Sequence, residues 1–266
     1  LYDPACGIAA ALLEAIALGA QPKRVVGHDI NPRALHIAGQ RAELRGVSVE
    51  LDRGDVLLND LDPGLRADVI ILEPPFGLRF DAPTRLMDPR FEFGTPPRSS
   101  ADTAWLQLVV AHLSEAGRGY VLTLPGTLFR GGEEGRIRAE LLRRGCVEAI
   151  VALPGKLLPQ TSIPLALWVL RRPEPTPTSG QILLIDASST EAPEDHVTAW
   201  LNDPSARQSV PHVEVPVADV LAADSVLTPQ RWVERTEQEP SEVTAAYVGG
   251  WTAIHDTMRE VQGLLS

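Results

Sequence analysis

The stretch VIILEPPFGLRF, residues 69–80, decides how the chain is read. Four apolar residues, Val69 to Leu72, run into Glu73 and then Pro74-Pro75-Phe76. A short, unbroken apolar run closed by prolines is the pattern of a strand buried inside a sheet. Proline has no backbone N–H to give a ladder, so Pro74 and Pro75 end the strand. Glu73 therefore stands at the exit of a central strand, where open α/β sheets hold their ligands.

Working outward, the first 172 residues alternate strands with helices. Leu1-Tyr2 reads as the end of a strand. A turn follows over Asp3 to Gly7, then a helix over residues 8–18. Residues 24–29 form a strand ending in Asp29, and Asn31-Pro32 opens a helix with proline in its first turn. Residues 47–51 alternate as a strand, with Asp55 in the loop beyond. Residues 77–100 make a long Pro-, Arg- and Phe-rich segment, the kind of loop that carries function. A helix is expected over 101–116, capped by Ser99 or Ser100, with Trp105, Leu108, Val109, His112 and Leu113 on one face. A strand at 120–124, a helix at 134–144 and strands at 147–153, 165–170 and 181–186 follow. No long helix separates 153 from 165, so an antiparallel strand is expected there. The repeated strand–helix order predicts an α/β doubly wound sheet. Residues 172–180 read as a linker or hairpin tip, and residues 242–265 as an amphipathic helix interrupted by Gly249-Gly250.

Charge is unevenly spread. The net charge is −11 in 266 residues, and residues 173–266 hold 15 acidic against 4 basic side chains, so the first 172 residues are neutral. A neutral body with local basic patches is compatible with nucleic acid, which a uniformly acidic one repels. Cys6 and Cys146 are the only cysteines. That number makes no disulfide framework and suits a reducing cytoplasm. The six histidines show no metal-ligand spacing, and no metal is expected. No stretch is long and apolar enough to span a bilayer. The chain begins inside a motif and reads as a fragment, with its first strand largely missing.

Four polar sites fall at successive strand exits: Asp3-Pro4-Ala5-Cys6-Gly7, then Asp29, Asp55 and Glu73. A glycine turn followed about 20 residues later by an acid is a nucleotide-binding arrangement, the acid holding ribose hydroxyls. No Walker lysine accompanies it, so a ribose-bearing ligand without phosphate fits better. Each site has a plainer reading when taken singly. Gly7 is a tight turn, Asp29 a helix cap, Asp55 a solvated loop acid, and Cys6 a packed small residue. His28 and His112 read more readily as satisfied polar groups than as catalysts. The alignment of all four at strand exits favours one shared site.

These residues carry a resemblance. Asp3-Pro4-Ala5-Cys6-Gly7, Gly27-His28-Asp29-Ile30-Asn31-Pro32 and Pro74-Pro75-Phe76 resemble the S-adenosylmethionine and catalytic motifs of the gamma-class N6-adenine DNA methyltransferases. The similarity is strongest to the modification (HsdM) subunit of type I restriction-modification systems. It continues through Ala104-Trp105-Leu106-Gln107, residues 124–132, residues 150–154 and Leu227-Thr228-Pro229-Gln230-Arg231-Trp232. The resemblance implies a class I, Rossmann-like methyltransferase sheet with an antiparallel last strand. It implies a catalytic domain over 1–186 and an acidic, partner-facing extension over 187–266. S-adenosyl-L-methionine is the implied cofactor, held by Asp3, Pro4, Ala5, Cys6, Gly7, Asp29, Ile30 and Asp55. Glu73, Pro74, Pro75 and Phe76 are the implied catalytic residues. Asp29 would hold ribose hydroxyls and Asp55 the cofactor's adenine amino group. The Pro74 carbonyl would accept from the target amine, and Phe76 would stack on a flipped base. The implied partners are double-stranded DNA and a specificity subunit or fused target-recognition domain, with oligomers possible.

Two residues depart from the family pattern. Glu73 stands where Asn or Asp is usual, one methylene longer than Asp, and a misplacement of about 1 Å can cost 10²-fold in rate. Gly7-Ile8-Ala9-Ala10 stands where the family has Gly-x-Gly-Gly, and an added methyl disfavours positive φ. The alternative reading is a catalytically degenerate DNA- or partner-binding subunit. For DNA, the candidates are Arg79, Arg85, Arg90 and Arg98 in the long loop. A second basic cluster comprises Arg130, Arg136, Arg138, Arg143, Arg144, Lys156, Arg171 and Arg172, for which ordinary surface charge is the competing reading.

Overall fold

The computed structural model describes residues 1–80, 88–157, 162–173 and 180–237, the last four without their side chains. Strand β1 (Tyr2–Asp3) leads to helix α1 (Ala10–Ala17), then β2 (Val26–Asp29), α2 (Pro32–Leu44), β3 (Glu50–Arg53) and β4 (Ala67–Leu72). Next come α3 (Asp102–His112), β5 (Leu113–Thr123), α4 (Gly132–Arg143), β6 (Val147–Leu153) and β7 (Leu165–Leu170). The described chain closes with β8 (Gln181–Asp186), α5 (Val197–Asn202), β9 (His212–Pro216), α6 (Val217–Ala222) and α7 (Pro229–Glu237).

All nine strands join one sheet in the order β3-β2-β1-β4-β5-β7-β6-β8-β9. β1 to β5 pair in parallel, so the strand order reverses between β1 and β4. A reversal of that kind opens a crevice at the C-terminal strand ends, because the two flanking connections leave in opposite directions. β7 lies antiparallel between β5 and β6, as expected from the short 153–165 connection. β8 then pairs in parallel with β6, and β9 adds an antiparallel edge. The segment expected as an extension thus contributes a strand to this sheet.

One core cluster joins β4, β5 and β6 to α3, α4 and the aromatic residues Phe80, Phe91 and Phe93. A second lies between β6–β8 and Trp200 of α5, and a third packs α1 and α2 against the first strands. The C-terminal motif belongs to the first cluster. Leu227 is wholly buried, its N–H bonds the Leu128 carbonyl, and Trp232 is 7% exposed.

Several boundaries differ from expectation, the largest at the α3–β5 junction. The helix expected to reach residue 116 stops at His112, and β5 begins at Leu113. Gly117 and Gly119 explain the change: a Cβ on Gly117 would lie 2.6 Å from the Ala67 carbonyl oxygen, and one on Gly119 would strike Val109. The glycines let β5 press against both β4 and α3. Helix α3 is buried on every side from Asp102 to Val110, not on one face alone. Phe91 and Phe93 of the segment before it share its core cluster, and Phe93 N–H bonds the Gln107 side chain. β3 starts at Glu50, while Val47 and Val49 pack against the third cluster ahead of it.

Candidate active site

The crevice between β1 and β4 is built from the turns that leave them. The Asp3–Gly7 turn is laced onto β2. Cys6 N–H donates to the His28 carbonyl at 2.8 Å, and Gly7 N–H to Asp29 Oδ2 at 2.8 Å. Asp29 Oδ1 accepts from Asn31 N–H at 2.7 Å. The helix cap is Asn31 itself, whose Oδ1 accepts from Arg33 and Ala34 N–H, so Asp29 is left to face the crevice. Gly7 has φ 52° and Ala9 φ 57°. The left-handed turn thus persists at Ala9 despite its methyl group.

Cys6 is packed against Gly27, and burial pushes its thiol up to about 12, which rules against a thiolate nucleophile. Asp3 is 4% exposed and accepts from Ala5 N–H at 3.0 Å. Burial pushes its carboxyl up to about 7; the Ala5 bond opposes this, and the Asp29 and Glu73 carboxylates add to it. That influence of Glu73 on Asp3 ties the exits of β4 and β1 together. His28 meets the Tyr2 hydroxyl at 3.0 Å through Nδ1, and His112 lies 3.5 Å from Asp60. Both fit the reading as satisfied polar groups.

Asp55 is more than a solvated acid. Its Oδ1 accepts from Leu57 and Leu58 N–H at 3.0 and 3.1 Å, closing a tight turn. Arg90, 4% exposed, holds that turn from the far side. It donates to the carbonyls of Val56 and Leu57 and pairs with Asp88 in bidentate fashion at 3.0 and 2.7 Å. Arg90 is therefore not a DNA-facing arginine. Arg79 and Arg98 are exposed, and Arg85 lies outside the described residues.

Part of the second basic cluster is likewise tied into the structure. Arg138 is 1% exposed and donates to the carbonyls of Thr127, Arg130 and Ser225. Arg130 reaches Asp102 and Glu134, Arg143 reaches Glu140, and Arg171 donates to the Gly145 carbonyl. Arg144 pairs with Glu92 and lies over the Phe93 ring. Arg130, Arg138, Arg144 and Arg171 tie α4 and its neighbours together, the Arg143 pair lies within α4, and Arg136 and Lys156 are exposed.

A cavity of about 530 Å³ opens in the crevice, within the range of ligand sites. Pro4, Ala5, Asp29, Ile30, Asp55, Glu73, Pro74, Pro75 and Phe76 line it, nine of the twelve residues singled out from the sequence. Asp3, Cys6 and Gly7 are not among the lining residues; they shape the turn from behind. Gly54, Val56, Leu78 and Trp105 complete the lining and were missed. Gly54 and Val56 flank Asp55, and Leu78 follows the Pro-Pro-Phe turn, so proximity could have found them. Trp105 sits in a core-patterned helix, within the Ala104–Gln107 stretch that carries the resemblance, but the pattern marks it as core and not as a site residue. A larger cavity of about 720 Å³ opens among Leu1, Arg24, Arg66 and Val69. It lies away from the C-terminal strand ends and holds none of these residues.

Three carboxylates and no Lys or Arg occur among the described lining residues. That wall repels phosphate and favours a cation, while Ile30 and Leu78 are apolar and solvent-exposed beside it. A sulfonium nucleoside fits these demands. Asp29 retains lone pairs for ribose hydroxyls beyond its two backbone bonds, and Asp55 offers an acceptor for an amino group.

The sheet and its acid-walled switch-point cavity define a class I S-adenosylmethionine-dependent methyltransferase fold. A Listeria monocytogenes protein described as a putative member of that class superposes with a TM-score of 0.60 at 22% identity, over 76% of this chain and 63% of that one. The chain belongs to the N-6 DNA Methylase family, whose model matches residues 1–239. It is 29% identical over 243 residues to the type I restriction enzyme HindI methylase subunit of Haemophilus influenzae, covering 84% of this chain and 54% of that one. It is 32% identical over 205 residues to the MjaVII methylase subunit of Methanocaldococcus jannaschii, covering 71% of this chain and 35% of that one. The crystal structure of a type I restriction-modification methyltransferase subunit from Streptococcus thermophilus superposes with a TM-score of 0.77 at 26% identity, over 86% of this chain and 53% of that one. The chain thus spans about half, or less, of the length of these relatives. Among the described residues no helix is long and apolar enough to cross a membrane.

Proposed function

We propose that the chain is the catalytic part of an S-adenosylmethionine-dependent methyltransferase acting on the N6 amino group of adenine in DNA. It would serve as the modification component of a restriction-modification system in the cytoplasm. Double-stranded DNA and a specificity subunit or fused recognition domain are its proposed partners. The observation that carries this reading is that one cavity is lined by Asp29 and Asp55 together with Glu73-Pro74-Pro75-Phe76. Donor and acceptor sites of a transfer reaction must share such a space.

Bound there, S-adenosylmethionine supplies an electrophilic methyl carbon on a sulfonium. Asp29 and Asp55 would hold it by ribose and adenine, with the Asp3–Gly7 turn toward its amino-acid end. An exocyclic amine conjugated to its ring is a poor nucleophile. The Pro74 carbonyl and the Glu73 carboxylate accept its two N–H bonds and help the nitrogen rehybridise toward the methyl group. Phe76, half-buried at the strand exit, offers a face on which a flipped base can stack. Glu73 would be the adjacent acceptor for the proton that the amine gives up on methylation.

Transfer of labelled methyl groups to adenine-containing DNA tests this. Glu73→Ala is expected to lower kcat by about 10²-fold or more with little change in KM for the methyl donor. An unchanged kcat would remove Glu73 from the chemistry. A second reading, a degenerate subunit, is favoured by Glu73 and by the left-handed Ala9. In that case methylation appears only in Glu73→Asn.

A further inference from the structure

Four of the five tryptophans lie in the described residues, and three of them satisfy their indole N–H. Trp168 donates to Thr123 Oγ1 at 3.0 Å, Trp200 to Ser209 Oγ at 3.1 Å, and Trp232 to the Val226 carbonyl at 2.9 Å. Trp105 is as buried as these, at 5% exposed, yet its Nε1–H meets no acceptor. It is also the one of the four that lines the cavity of the β1–β4 crevice. A buried indole N–H normally finds a partner, because leaving water without one is costly.

We propose that Trp105 is a specificity-determining donor whose Nε1–H is satisfied by a ring nitrogen of an adenine held in this cavity. The acceptor must be neutral and planar. Asp29 and Asp55 on the cavity wall disfavour a carboxylate or phosphate group as the acceptor, while Ile30 and Leu78 present apolar surface suited to a flat ring. The backbone that carries the indole is tied to the neighbouring turn. The backbone N–H of Trp105 bonds the Ala101 carbonyl at 3.0 Å, and the backbone N–H of Ala101 bonds the carbonyl of Leu78 at 2.8 Å, just past the Pro-Pro-Phe turn. The donor is thus tied to the segment that follows the proposed catalytic residues. This inference rests on the proposed function, which offers two sources of the same chemistry: the adenine of the methyl donor and the target adenine.

The test is an NMR titration of protein labelled with ¹⁵N at the indole nitrogen, with the Trp105 resonance assigned by its loss in Trp105→Phe. S-adenosylhomocysteine is added to saturation, followed by adenosine, with binding of each followed by calorimetry. A downfield shift of the Trp105 proton on the first addition assigns the donor to the cofactor's adenine. A shift only on the second assigns it to the target base. Trp105→Phe then weakens the compound that moved the resonance by about 5- to 10-fold. A merely structural tryptophan would not give that loss, since Phe keeps the ring and removes only an unmet donor. Its unliganded melting temperature should be unchanged or higher. Calorimetric binding of S-adenosylhomocysteine and adenosine with no shift at either step overturns the inference while leaving the proposed function intact. Failure of folded protein to bind either compound overturns the proposed function, and this inference with it.

Discussion

Ala9 holds φ 57° with its methyl wholly buried. A left-handed backbone costs a non-glycine residue about 1–2 kcal/mol, and overpacking a tight site costs about 1–3 kcal/mol. The wild type already carries the first cost, so Ala9→Val is expected to destabilise the protein by the second, about 1–3 kcal/mol, read as a lower urea midpoint. Asp3 sits behind the same turn, and its carboxyl lies at about 7 against an ordinary 3.8. Between those values the native state binds the proton that the unfolded chain releases, so this carboxyl erodes stability as pH rises from about 4 to about 7. Asp3→Asn removes that dependence. Relative to wild type, the variant should gain stability across this window and hold a constant difference above it, as measured by denaturation at stepped pH. A difference that stays flat from pH 4 to 7 would contradict the buried-acid description. Individual residues at strand exits were legible because prolines, acids and glycine carry positional meaning of their own. Trp105 was not, since a tryptophan at helical spacing looks the same whether its N–H is satisfied or waiting for a ligand.

Among the elements, the segment 88–100 behaves as a brace. Arg90 joins it to the Asp55 turn through two carbonyls, and Ala101 joins it to Leu78. Arg90 and Asp88 are each buried, with side chains 5% and 8% exposed. Breaking a buried pair by removing one partner costs about 3–5 kcal/mol, because the other charge is left uncompensated. Arg90→Met should show that loss in equilibrium unfolding, and Asp88→Leu in the same background should restore part of it. Equal stability of wild type and Arg90→Met would show that the brace holds nothing. The sequence offered this segment as an arginine-rich loop and gave no sign that one arginine turns inward. Ion pairs formed two residues apart with distant carbonyl partners leave no periodic trace. The α3–β5 junction was hidden for a related reason, because the glycines that set it matter only through close approach to Ala67 and Val109.

Across the whole molecule, the alternation of strands and helices was readable from the 69–80 exit outward, as were the antiparallel β7 and the position of the crevice. The integration of the C-terminal part was not. β9 pairs with β8, Gln230 donates to Asp186 at 2.7 Å, and Leu227 is buried in the core shared by α3 and α4. Net acidity masked these contacts, since a few buried apolar residues decide packing while many exposed acids decide the charge. A chain cut after residue 186 is expected to lose cooperative unfolding and its near-ultraviolet circular dichroism. A sharp transition in that truncated chain would show that the strands fold without β9 and α7.

The measurement to make first is calorimetric titration of S-adenosylmethionine into the protein, with Asp29→Ala alongside. Binding by the wild type that is lost in the variant is the expected result, because Asp29 both fixes the Gly7 turn and faces the cavity. A well-folded wild type that binds no S-adenosylmethionine would contradict the reading of the β1–β4 crevice as a cofactor site.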